Sequence, residues 1–170
     1  MEENITTAER ESEPAPAPGQ APPFGSPYSS DERTWAALAH GSALLNAATG
    51  MGGVIAAALI WLTQKEKSAW VAFHGLQSLA FQAAQALILL PLVGGVWVVG
   101  FAFSFITLGF GTIIAVPLML LAAFLGIALM AGGLVYSLYG TYQVYQGRDF
   151  RYIWIGDWIQ RGSFGISEKT

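Results

Sequence analysis

Cysteine is absent from this chain. That excludes disulfides, thiol catalysis and thiolate metal sites, and it leaves the redox compartment open. Charge is scarce as well. Asp, Glu, Lys and Arg make up 11% of the residues, against about 25% in an ordinary soluble domain. They occur only in residues 1–33, at Lys65-Glu66-Lys67, and from Arg148 onward. Residues 34–64 and 68–147 carry none. A water-exposed surface needs ionic groups at intervals, because they are almost never buried unpaired. Two long uncharged, mostly apolar stretches therefore imply lipid as the solvent. A basic footprint is missing too: the net charge is −3, and Glu2, Glu3, Glu9, Glu11 and Glu13 face only Arg10 in the N-terminal tail. Nucleic acid is excluded as a partner on that ground. No basic n-region precedes an early apolar stretch, so no cleavable signal peptide is expected, and the first span should serve as the anchor.

Hydrophobic residues make up 54% of the chain, enough for a membrane domain of three to five spans. Residues 1–29 hold six of the eight prolines together with Glu, Ser, Gly and Ala. Such a segment buries too little apolar area to offset its ordering entropy and is expected to be disordered. Residues 30–147 form the helical transmembrane domain, and 148–170 a cytoplasmic interfacial tail.

Ser29-Ser30-Asp31-Glu32 is an N-terminal helix signal, with capping hydroxyls followed by acids in the first turn. Apolar helix follows to Ala48. Thr49-Gly50-Met51-Gly52-Gly53 breaks it, and helix resumes to Leu62. Residues 34–63 fit either one kinked span or a tight hairpin of two short helices. Thirty helical residues stretch roughly 45 Å, long for one crossing of a hydrocarbon core of about 30 Å. From Ala69 to Gly147 a larger hairpin is expected, bent at Pro91 and Gly94-Gly95, turning at residues 108–111, with Pro117 near the start of its second helix. A three-span division of this region is the alternative. The fold class is thus an all-α polytopic membrane protein of two helical hairpins, about four membrane segments. With two hairpins, both tails and the Lys65–Lys67 loop share one side, and only uncharged Gly-rich tips reach the other. The positive-inside rule makes the shared side cytoplasmic. Trp35, Trp61 and Trp70 lie near it, as an interfacial aromatic belt requires.

Several polar residues could carry function. His74, Gln77, Ser78, Gln82 and Gln85 form a stripe along one helix face. In lipid such a stripe must face protein or water. It serves either as a polar groove for a peptide segment or small solute, or as interhelical hydrogen bonding. The first helix offers His40, Ser42, Asn46 and Thr49 along one side. His40 and His74 are placed to meet, but a metal site needs three or four ligands, and no intramembrane Asp, Glu or Cys completes one. A Ser–His pair lacks an orienting carboxylate and a nucleophile elbow. No catalytic, cofactor-binding or metal residue is assigned, and an enzyme is not expected. Gly126, Gly133 and Gly140 recur at every seventh position, with Gly147 next. This small-residue ridge suits close helix packing, within one chain or between two. In the tail, Ile155, Trp158 and Ile159 share a helical face, which suits a strip lying among lipid headgroups.

Four pieces, in order, carry a resemblance: Asp31 to His40, Ile60 to Lys65, His74 to Gln82, and Gly147 to Tyr152. Together they resemble the Tic-twenty-like proteins, the domain of unknown function 4870 family of small prokaryotic membrane proteins. The resemblance implies a helical membrane scaffold or part of a polypeptide path. The resulting expectation is a non-enzymatic multi-pass protein of the cell membrane, a component of protein translocation or insertion. A small-solute channel or transporter is the alternative. Expected partners are the lipid bilayer and other membrane proteins or a second copy; no cofactor is expected.

Overall fold

The computed structural model describes residues 28–163. The expected N-terminal tail falls outside this range except for its last two residues, as does the end of the C-terminal tail. Every regular element among the described residues is helical.

Helix α1 (Ser30–Gly41) begins with the anticipated cap. Ser29 Oγ accepts from the Glu32 backbone N–H at 3.2 Å, and the Glu32 carboxylate accepts from the Ser29 N–H at 2.9 Å. The two satisfy donors that a helix start leaves open. The helix breaks at Ser42, whose hydroxyl donates to Ala39 O at 2.7 Å and to Gly53 O at 3.1 Å. Sequence reading had not marked this break. Helix α2 (Ala43–Thr49) ends at Gly50, which adopts φ +81°, a left-handed conformation open to glycine. The chain reverses there into α3 (Gly52–Gln64). Residues 34–63 are therefore a hairpin.

After the Lys65–Lys67 loop, Ser68 caps α4 (Ala69–Leu89). A π-helical segment, Leu90–Gly95, follows. Pro91 has no N–H to give and crowds the preceding turn, and a π segment is one way to absorb that defect. Helix α5 (Val96–Ile106) continues to the tip, where Leu108 and Gly109 take positive φ. Helix α6 (Thr112–Tyr145) returns along the whole length. Gly147, at φ +76°, ends it, and α7 (Ile155–Ser163) follows.

Two continuous helical stretches, Ala69–Ile106 and Thr112–Tyr145, are long and apolar enough to cross a membrane. That corrects the expectation of about four such segments. The reason is length: α3 has 13 residues, about 20 Å at 1.5 Å each, and α1 and α2 are divided at Ser42.

The long hairpin is held in antiparallel register by its glycines. A Cβ at Gly126 would strike Val93, one at Gly133 the Gln85 amide, and one at Gly140 the Phe150 ring. On the other helix, a Cβ at Gly100 would meet Met119 Sδ at 2.8 Å. The first hairpin packs on the α4 and α6 halves nearest the charged segments. There Ser68 Oγ donates to Glu32 at 2.7 Å, Tyr28 stacks on Trp70 with centroids 3.9 Å apart, and Gly147 lies against the Arg33 side chain. The start of α1, the Lys65–Lys67 loop and the segment after α6 thus gather at one end.

Candidate functional site

The polar stripe of α4 lies inside the fold. His74, Gln77 and Ser78 have no solvent exposure, and Gln82 has 2%. At the charged end they meet His40 of α1, Ser137 of α6 and the extended segment after α6. Gln77 anchors that segment. Its Nε2 donates to Phe150 O at 2.8 Å, and its Oε1 accepts the Tyr152 backbone N–H at 3.3 Å. A flipped amide would set oxygen against oxygen and nitrogen against nitrogen, so its orientation is determined.

The remaining protons follow from this. Gln77 Nε2 also lies 2.8 Å from His74 Nδ1 and can only donate, so that nitrogen is an acceptor. Neutral His74 therefore carries its proton on Nε2. His40 Nε2 stands 3.1 Å from the same His74 Nδ1, so it must donate. His40 Nδ1 then accepts from the Tyr152 hydroxyl at 3.0 Å, and that hydroxyl accepts from Ser137 Oγ at 2.9 Å. One directed chain runs Ser137, Tyr152, His40, His74. It ends at His74 Nε2, which has no hydrogen-bond partner and points toward Asp149 Oδ1, 4.0 Å away, beyond hydrogen-bond range. Proton positions of both rings can be read by nitrogen NMR of histidine-labelled protein. Both should be Nε2–H tautomers, and an Nδ1–H signal from either would refute this assignment.

A second branch runs toward the first hairpin's tip. Ser78 Oγ donates to Ala39 O at 2.7 Å. Gln82 Nε2 donates to Ser78 at 3.0 Å and Ser42 at 3.1 Å, while its Oε1 accepts from Asn46 at 2.7 Å. Asn46 Oδ1 receives the backbone N–H of Gly53 at 2.8 Å, closing one of the open donors at the start of α3. Gln85 stands apart. It donates to Leu129 O at 2.8 Å and lines two apolar crevices beside α6.

The geometry closes the stripe. Its buried amides and hydroxyls bind backbone carbonyls and each other. His40 and His74 do meet, but by hydrogen bonding to one another. Among the described residues no group of three His, Cys, Asp or Glu side chains could hold a metal ion. Gly126, Gly133 and Gly140 receive Val93, Gln85 and Phe150 of the same chain. In α7, Ile159 is buried and Ile155 half-buried, whereas Trp158 is 71% exposed. Tyr152 and Ser137 were not assigned to the polar site from sequence. They lie 15 residues apart on different segments, and no spacing rule links them to the stripe. Tyr152 is also packed among rings, stacked on Phe81 with centroids 4.1 Å apart.

Two carboxylates border the site with opposite tendencies. Burial pushes the Asp149 carboxyl above its ordinary value, although the Arg151 guanidinium, 3.0 Å away, pulls the other way. The Ser68 hydrogen bond, with the Ser29 backbone N–H, holds Glu32 below its ordinary value. A raised pKa means the folded state prefers protonated Asp149. Its contribution is greatest below the unfolded carboxylate pKa and is lost as pH rises through the folded value. Glu32 contributes above the unfolded pKa and loses that contribution as pH falls through its depressed value. Asp149→Asn should therefore raise the thermal midpoint at neutral pH, with the gain fading in acid. A gain that instead grows on acidification would contradict it.

Residues 31–159 match the magnetosome magnetite crystal formation protein family, MamF/MmsF. This overturns the resemblance to the Tic-twenty-like proteins. The four pieces that carried it are short, whereas the family match extends over residues 31–159 as a whole. No curated protein and no solved structure matches the chain.

Proposed function

This chain belongs to the magnetosome magnetite crystal formation protein family, and we propose that it serves there as a non-enzymatic, multi-pass helical scaffold of the magnetosome membrane. The observation that carries this reading is the closed polar core. Side chains that would line a groove or feed a reaction are instead spent holding α1, α4, α6 and the post-α6 segment together. A translocation role rested on the overturned resemblance and falls with it.

Topology follows from charge. Arg33, Lys65, Lys67, Arg148 and Arg151 lie at one end of the molecule, while the turns at Gly50-Met51 and 107–111 carry no charge. The positive-inside rule makes the charged end cytoplasmic, with both tails there. In this arrangement both hairpins enter from the cytoplasmic side. The long one, about 50–57 Å along its helices, must tilt or bend to fit a core of about 30 Å. The opposite tips present no carboxylate, so a part in crystal formation runs through the membrane and protein partners rather than through acidic groups laid on the mineral.

The absence of cysteine makes the topology directly testable. Single substitutions Met51→Cys, Lys67→Cys and Phe110→Cys each introduce one thiol. Lys67→Cys should react with an impermeant maleimide from the cytoplasmic face only, and neither tip residue should. Labelling of Lys67→Cys from the other face would discard this topology. The role itself is tested by deletion in a magnetite-forming host. Crystals of altered size or shape are expected; crystals identical to the parent's would rule the role out.

A further inference from the structure

The cross-section of the molecule changes along its length. At the level of Gln77, helices α1, α3, α4 and α6 stand side by side, with α7 packed on α4. The first hairpin reaches only to the level of Gln82 and Gln85, where Asn46 bonds Gln82 and Gly53 abuts the same side chain. Beyond Gln85 and its counterpart Gly133, two helices continue alone, in register at Val93 with Gly126 and at Gly100 with Met119. Helix α5 packs against α6 and the π-helical segment, and its outward Val98, Phe101 and Phe105 are exposed. Residues 86–106 and 112–132 thus make a two-helix rod about 30 Å long.

Helix α7 widens the other end further. Ile159 turns inward, while Ile153, Trp154 and Trp158 turn outward beside Asp149 and Arg151. Exposed tryptophans next to charges suit the headgroup layer, and amphipathic helices there bind according to curvature.

We infer that the chain is a wedge, broad at the headgroup level of the cytoplasmic leaflet and narrow through the rest of the bilayer, whose preferred partner is a strongly curved lipid bilayer with its cytoplasmic face convex. The inference rests on the topology proposed above. An inclusion that occupies more area in one leaflet relieves bending where that leaflet is stretched, so its free energy falls as the convex curvature rises. A small vesicle or an inward fold of membrane offers that geometry.

The test uses the full chain, labelled with a fluorophore at Glu168→Cys and reconstituted in giant vesicles of phosphatidylethanolamine and phosphatidylglycerol. Thin tubes are pulled outward. An impermeant quencher distinguishes chains with the label outside from those with it inside. Outside-labelled chains should be enriched in the tube by about twofold over a lipid dye, and inside-labelled chains depleted. Equal density in tube and vesicle body for both would overturn the wedge. The double variant Trp154→Ser/Trp158→Ser should lose about half the enrichment while retaining its helical content. Undiminished enrichment would overturn the part given to α7. A second label at Lys67 separates the two claims. If it lies across the bilayer from residue 168, the topology fails; if both share a side and tubes show no enrichment, the wedge alone fails.

Discussion

Gln77→Leu is expected to cost about 2–4 kcal/mol of stability and to release the segment after α6. The side chain keeps nearly its volume, so the loss is one of hydrogen bonds. Three buried groups lose their Gln77 partner together: Phe150 O, the Tyr152 N–H and His74 Nδ1. A buried polar group left unmet costs about 1–3 kcal/mol, partly relieved where the chain can move. Here the extended segment 149–152 can move, and leaving is how it recovers its hydrogen bonds. Limited proteolysis in detergent should therefore cut the variant between Gly147 and Tyr152 far faster than the parent. Gln85→Leu is the matched comparison. It removes a single bond to Leu129 O, a carbonyl already inside α6, so its cost should be near the 0.6 kcal/mol average for a hydrogen bond in a membrane protein. Equal thermal midpoints for the two variants would sink the anchoring role of Gln77.

Gly75→Leu should be at least as damaging, about 3 kcal/mol or more. Gly75 lets α4 lie directly on the α3 backbone. An added Cβ would stand 3.1 Å from Trp61 Cα and 3.2 Å from Trp61 N. The obstacle is main chain, so no rotamer change relieves it, and the two helices must separate along their full contact. At Gly132 nothing lies within 4 Å of an added Cβ, and the residue sits within α6. There Gly132→Ala should stabilise by about 0.5–1 kcal/mol, because alanine loses less backbone entropy in a helix. Opposite signs at two glycines are the decisive result, read from thermal midpoints in one detergent. A neutral Gly75→Leu would mean that α3 and α4 are not in this contact.

How much could be read from sequence varies by element. The cap at Ser29 and Glu32, the turn at Gly50, a helical irregularity at Pro91 and the tip near Gly109 were legible, because each depends on backbone chemistry within a few residues. The helical class was legible for the same reason. The break at Ser42 was not. Its hydroxyl serves Ala39 O nearby but also Gly53 O across the hairpin, and only the fold reveals the second partner. The stripe on α4 was visible as a pattern of period four, yet its meaning stayed open between groove and glue. Tyr152 and Ser137, which complete it, could not be matched to it by any spacing. The family was not legible from four short pieces taken in order, whereas the family match rests on residues 31–159 as a whole.

Sequence alone determined the solvent. Ionic side chains confined to three short stretches leave the rest of the chain nowhere stable but lipid, whatever the packing, because the cost of burying charge is a property of the residue. Tertiary structure decided what the polar residues do. Hydrogen bonding depends on distances between segments far apart in the chain, and folding spent His40, His74, Gln77 and Gln82 on one another and on the backbone. It also decided the shape, since only packing shows that the first hairpin stops at Gln85 and leaves two helices to continue alone.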